Sequence, residues 1–260
     1  MENLSGKESA SCALPAPMYV QLMPFVLAAQ RTRNEQGLAK RESMSTLYKT
    51  APPDAIWEGE LIEKKSRFLA IIKHISSEDE AKELLEAERK KHYAARHHVS
   101  AYIIAGQDGK PDISHASDDG EPSGTGGRPI LEILNGEGLK DIAAVVTRYF
   151  GGTLLGTGGL ARAYGGAVRA ALDNADYAEV KPVVSCQLIF DYAQEGKIRR
   201  ILDNESLFPE SSEYAERVMF NVLVPAERVE YLEKTITDSF SGQIEFETHG
   251  QKNIIVKSKA

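Results

Sequence analysis

From residue 46 onward, apolar and polar positions fall into repeating patterns; before it they do not. Residues 57–62 and 67–75 read as two strands joined by the charged turn Glu63-Lys64-Lys65-Ser66. Ser77 and Glu80 form a capping-box signature. The helix behind them carries Ala81, Leu84 and Leu85 on one side and charges on the other. Residues 99–105 predict a strand ending at a turn over 106–109, with a short strand near 112–116. Residues 129–135 predict a short helix with Pro129 near its first turn. Residues 142–149 are apolar enough for a buried strand, and residues 160–174 predict the helix that completes the unit.

The pattern restarts near residues 179–182, where a domain boundary is expected. Val184, Cys186, Leu188 and Phe190 alternate on a strand; Ile198, Ile201 and Leu202 make a helical stripe. Residues 213–224 alternate again, with Val218, Phe220 and Val222 on one face. Val229, Leu232 and Ile236 give a second helix, and residues 243–248 a last strand. A short strand around Leu207 completes the order βαββαβ, which is ferredoxin-like. The predicted fold class is therefore α+β. It comprises a disordered extension over residues 1–43, an N-terminal domain over 44–180 and a ferredoxin-like domain over 181–260.

Composition narrows the function classes. Hydrophobic residues at 42% and charged residues at 27% exclude a disordered chain, a collagen-like fibre and a membrane bundle. No run of about 18 apolar residues exists, so no membrane span is expected. Residues 13–29 are fairly apolar, but Glu2 and Glu8 accompany Lys7, and Pro15 and Pro17 interrupt the start of the run. A disordered extension is favoured there over a targeting segment, with Met44 as an alternative start. The net charge of −7 excludes a wholly basic nucleic-acid binder and leaves room for a local basic face. Cys12 and Cys186 supply neither a disulfide framework nor a Cys-based zinc site, which fits a reducing, cytoplasmic compartment.

Two Gly-rich stretches carry the candidate chemistry. Gly151, Gly152, Gly156, Thr157, Gly158 and Gly159 precede a helix. Gly151 and Gly156 have P-loop spacing, but Thr157 stands where the phosphate-binding lysine belongs. The run 156–161 fits G-x-G-x-x-A, but Asp176, about 20 residues on, lies at a helix end rather than a strand end. What survives is glycine ahead of a helix N-terminus, which suits an anion; a tight strand-to-helix turn explains the spacing equally well. Residues 142–172 hold Arg148, Arg162 and Arg169 and no acid, and Arg162 and Arg169, seven apart, share a helix face. Such a face suits phosphate or an RNA backbone, with packing through Gly165 and Gly166 as the alternative. The acidic loop Asp118, Asp119 and Glu121 lacks EF-hand spacing; turn capping or pairing with Arg128 or Arg148 is favoured over a cation site. His97 and His98 are adjacent on a strand and point to opposite faces, and His115 stands alone. No catalytic constellation, metal-ligand set or cofactor motif is found, so a non-enzymatic role is favoured.

Four long runs carry a resemblance. They are Asp118-Asp119-Gly120-Glu121-Pro122-Ser123-Gly124-Thr125-Gly126-Gly127-Arg128-Pro129-Ile130, Val145-Val146-Thr147-Arg148-Tyr149-Phe150-Gly151-Gly152, Leu155-Gly156-Thr157-Gly158-Gly159-Leu160 and Arg162-Ala163-Tyr164. Through them the chain, from about residue 46 to its end, resembles the IMPACT family in its bacterial, YigZ-type form. The resemblance implies a two-layer α/β N-terminal domain similar to the fourth domain of elongation factor G and to the ribonuclease P protein. It also implies a ferredoxin-like C-terminal domain similar to another elongation factor G domain. Those relatives bind RNA or the ribosome. Eukaryotic members regulate translation through a partner protein with an added RWD domain, of which this sequence shows no sign. The expectation is a cytoplasmic, translation-associated protein that binds RNA or the ribosome through Arg128, Arg148, Arg162 and Arg169 beside the glycine loop. A protein partner in translation control is a further possibility. The alternative is an enzyme or small-ligand binder using the Gly-rich anion loops.

Overall fold

The structure, a computed structural model, describes residues 47–106, 110–173 and 175–257. The extension expected over residues 1–43 and the turn residues 107–109 lie outside these. Two five-stranded sheets organise the chain. The first has the order β2-β3-β6-β4-β5 and is antiparallel throughout. Its strands are β2 (Ile56–Glu63), β3 (Ser66–His74), β4 (His97–Ile104), β5 (Ile113–Ser117) and β6 (Ile142–Tyr149). β6 takes the centre because it is apolar on both faces: every residue but Tyr149 is buried. Helices α2 (Gly127–Gly136) and α3 (Thr157–Leu172) cover one face, where Phe68, Ile72, Val99, Ile130, Leu134, Val146 and Tyr164 form the core. Helix α1 (Glu78–Lys91) lies on the other face, where Ala81 meets Ala143, Tyr102 and Ile104. The Ser77 side chain accepts the Glu80 N–H, as the capping signature predicts, while the Glu80 carboxylate reaches back one residue further, to the Ser76 N–H.

The second sheet has β7 (Ala178–Phe190) at its heart, with β8 (Pro209–Tyr214), β9 (Val218–Pro225) and β10 (Glu245–Lys257). Helices α4 (Glu195–Asn204) and α5 (Val229–Phe240) connect them and bury Ile198, Leu202, Leu232 and Ile236 against Leu188, Phe190, Phe220 and Val222. The order β10-β7-β9-β8, antiparallel at every step, is the ferredoxin-like arrangement. One sequence run is divided: the alternation over 213–224 spans the end of β8, a turn and β9.

β7 is longer than its alternation suggests, and the boundary expected at residues 179–182 falls inside it. Strand β1 (Tyr48–Thr50) pairs with Ala178–Val180 at its base. On its other side the Lys49 N–H donates to the Gly138 carbonyl and the Lys140 N–H to the Lys49 carbonyl. Tyr48 donates to Asp141 at 2.5 Å. One three-residue strand thus ties the second sheet to the loop that feeds β6.

Candidate anion-binding site

The acidic loop leaves β5 and enters α2, and its three carboxylates are occupied by donors from the protein. Asp118 accepts the backbone N–H groups of Gly124, Gly126 and Gly127 at 2.7, 2.8 and 2.9 Å. Two of those glycines are there for space: a Cβ at Gly126 would lie 2.7 Å from Val99, and one at Gly127 2.7 Å from the Ser117 backbone. Burial pushes the Asp118 carboxyl up, and the three N–H donors outweigh it, holding the group below its ordinary value. Asp119 accepts from Arg89 at 2.8 Å and from the His98 N–H at 2.7 Å. Glu121 is almost fully buried and accepts from Arg148 at 2.6 Å and from the Tyr164 hydroxyl at 2.8 Å. Burial, then the Glu121 hydrogen bond, drives the Tyr164 phenol well above its usual range, so it stays a donor. Arg148 lies between the Phe68 and Phe150 rings, at 5.4 and 5.6 Å from their centroids. No group of three or more His, Cys, Asp or Glu among the described residues could hold a metal ion.

A depressed carboxyl pKa fixes the sign of a pH effect. Asp118 contributes stability above the unfolded value of about 3.9, and that contribution is lost as pH falls toward the folded value. Asp118→Asn is therefore expected to be less stable at pH 7 and to lose less on acidification between pH 5 and 3, as measured by urea unfolding. An acid limb with the same slope in both proteins would show that Asp118 is not held ionised by its loop.

The basic face divides in two. Arg148 is buried in the ion pair with Glu121 and does not reach the surface that Arg162 and Arg169 present. Arg128 is exposed but tied to Glu132 at 2.8 Å, one turn on in α2. Arg162 and Arg169 are exposed, and neither makes an ion pair or side-chain hydrogen bond among the described residues. Both line a groove of about 470 Å³ between α2 and α3, with Ile133, Gly136 and Gly165. Glu132 and Glu137 also line it, so α2 brings acids to a stretch that is free of them in sequence.

The glycine stretch is part loop and part helix. Gly151 passes against the β2–β3 turn, where a Cβ would lie 2.0 Å from the Lys65 backbone, and its N–H donates to Ser66 Oγ at 3.1 Å. That close approach accounts for Gly151. Gly152 and Gly156 have φ of 83° and 71°, which favours glycine. Gly156 is the N-cap of α3, so Thr157, Gly158 and Gly159 form the first helical turn rather than a loop. That turn has no side-chain cap and no acid, which leaves its N–H groups open to an anion. Arg162 stands over it: its Nη1 is 3.6 Å from the position a Gly158 Cβ would take.

Sequence reasoning missed Arg89 as the partner of Asp119, and Tyr164 and Ser66 around the buried arginine. Arg89 sits in the basic last turn of α1, a placement explained by the helix dipole alone. Tyr164, a hydroxyl in the middle of an apolar helix face, was the available signal.

The sequence pattern of the Impact N-terminal domain matches residues 64–172, and a domain of unknown function (DUF1949) matches residues 188–243. The chain is 40% identical over 197 residues to the IMPACT family member YvyE of Bacillus subtilis (strain 168), covering 76% of this chain and 86% of the relative. The chain belongs to the IMPACT family. YigZ of Escherichia coli (strain K12), another member, is 37% identical over 182 residues, covering 70% of this chain and 89% of the relative. A solved structure described as a hypothetical protein aligns with a TM-score of 0.52 at 34% identity, over 78% of this IMPACT-family chain and 98% of that one. The first matched region runs from β3 to α3 and leaves out β2, and the second runs from the end of β7 to α5 and leaves out β10. No helix among the described residues is long and apolar enough to cross a membrane.

Proposed function

We propose that this IMPACT-family protein is a cytoplasmic, translation-associated protein that binds RNA or the ribosome through the α2–α3 groove and takes part in regulating translation. The observation that carries the reading is the state of its arginines. Arg67, Arg89, Arg128, Arg148, Arg199, Arg217 and Arg228 are all held in ion pairs. Among the described residues Arg96, Arg162, Arg169 and Arg200 are not, and of these four Arg162 and Arg169 line one groove. Two uncompensated guanidinium groups seven residues apart are about 10.5 Å apart along the helix axis. They suit two phosphates of one backbone, and the uncapped first turn of α3 extends the same surface beneath Arg162. A protein partner in translation control remains compatible with this surface.

The small-ligand reading draws on that same first turn, whose N–H groups suit a phosphorylated metabolite. It leaves Arg169, nearly two turns further along α3 than Arg162, without a role. Ribosome co-sedimentation at graded salt separates the readings. Binding through phosphate contacts is expected to pellet the protein at 50 mM salt and to weaken steadily toward 200 mM. Absence of salt-sensitive binding to ribosomes or RNA, together with thermal stabilisation by a phosphorylated metabolite, would reverse the order.

A further inference from the structure

We infer that the α2–α3 groove takes single-stranded RNA rather than a duplex, with one base lodged in the groove and the flanking phosphates on Arg162 and Arg169. This rests on the RNA reading above and narrows it. The groove offers about 470 Å³ and is largely open to solvent, room for one base to lie against it. A duplex keeps its bases stacked and paired inside, so it would touch only the rim and leave the groove empty. A single strand can splay a base outward.

The lining fits a planar ring with charge at its ends. Ile133 and the bare backbone at Gly165 and Gly136 supply an apolar surface without bulk. At Gly165 the packing is already close, with a Cβ position 2.9 Å from Ile133 Cδ1. At Gly136 that position meets nothing within 4 Å, so the space there is open. Arg169 Nη1 lies 3.6 Å from the Gly165 Cβ position, which puts one end of its guanidinium beside the floor while the residue stays exposed. No aromatic ring lines the groove, and a guanidinium plane can serve as the stacking surface instead. Glu137 also lines the groove, and its carboxylate can accept from the exocyclic amino group of adenine, cytosine or guanine, whereas uracil offers only its ring N3–H. The preferred strand is therefore rich in amino-bearing bases, such as adenine, rather than in uracil.

The test compares a fluorescent single-stranded adenine-rich 12-mer, the same strand annealed to its complement, and adenosine monophosphate. Fluorescence anisotropy follows the RNAs at 50 mM salt, with the monophosphate as competitor. The single strand is expected to bind at least tenfold more tightly than the duplex. The free monophosphate, with one phosphate instead of two, is expected to compete weakly. Gly136→Leu plugs the groove from its open side and leaves both arginines in place. Leucine is also the better helix former, so the protein is expected to remain folded. This variant is expected to lose at least tenfold for the single strand while changing duplex binding less than twofold. Equal binding of strand and duplex, or a Gly136→Leu protein that binds the strand like wild type, overturns the inference and leaves the RNA reading standing. No salt-sensitive binding to any RNA overturns both. Tight monophosphate competition assigns the groove to a free nucleotide instead.

Discussion

Arg148→Met is expected to destabilise the N-terminal unit by about 3–5 kcal/mol. Only 6% of the Arg148 side chain and 4% of Glu121 is exposed, so the Met variant leaves a carboxylate in the interior with Tyr164 as its one remaining hydrogen-bond donor among the described residues and His97 Nε2 4.0 Å away. The methionine keeps the contact with Phe68 and Phe150, so the loss reports the charge rather than a cavity. Trp57, the only tryptophan, is buried in the same core, and its emission follows this unit directly. The unfolding midpoint is expected to fall by on the order of 10 °C. Arg148→Met with Glu121→Leu is expected to recover much of this, because removing both members of a buried pair is often near neutral. A loss below about 1 kcal/mol in the single variant would mean that the pair is solvated. The same burial rules out Arg148 as an external phosphate ligand.

Gly59→Val is expected to cost at least about 3 kcal/mol, at the upper end for overpacking. Gly59 is where β2 meets α3. A Cβ there would lie 2.3 Å from the Ala171 nitrogen and 2.6 Å from the Ala167 carbonyl oxygen, both backbone atoms that no rotamer change can move. Valine favours strands, so intrinsic propensity would act in the opposite direction and the steric term is isolated. Relief requires moving α3 off the sheet, and Arg162 and Arg169 with it, so RNA binding is expected to fall in parallel. A Tm equal to or above wild type would place α3 elsewhere.

Legibility in the sequence followed how local the determining interactions were. β2, β3, β6 and the α1 cap lie where alternation, apolar content and capping residues put them, because each is decided by its own residues. β1 was not readable: three residues acquire strand structure only by pairing with the base of β7. β10 runs nine residues beyond its alternating start, through the polar stretch Glu247–Asn253, because β7 continues to offer it partners. A pattern based on burial cannot register an exposed edge. The site divides along the same line. Arg162 and Arg169 share a face because seven residues is two helical turns. That Arg148 turns inward while Arg162 stays out depends on Glu121, 27 residues away in sequence. The acids on the groove wall come from α2, so a reading of residues 142–172 alone described the face as more basic than it is.

The central claim is that Arg162 and Arg169 contact phosphate, and a salt titration of RNA binding in wild type and in Arg162→Glu/Arg169→Glu tests it most directly. Both residues are exposed and unpaired, so the double variant is expected to stay within about 1 kcal/mol of wild-type stability. Wild-type affinity for single-stranded RNA is expected to fall about sevenfold between 50 and 200 mM salt, the slope for two phosphates on a single strand. At 50 mM the double variant is expected to bind well over tenfold more weakly, a change that needs only ~1.4 kcal/mol, and to show a nearly flat salt dependence. A double variant that binds as tightly as wild type, with the same salt slope, would contradict the account.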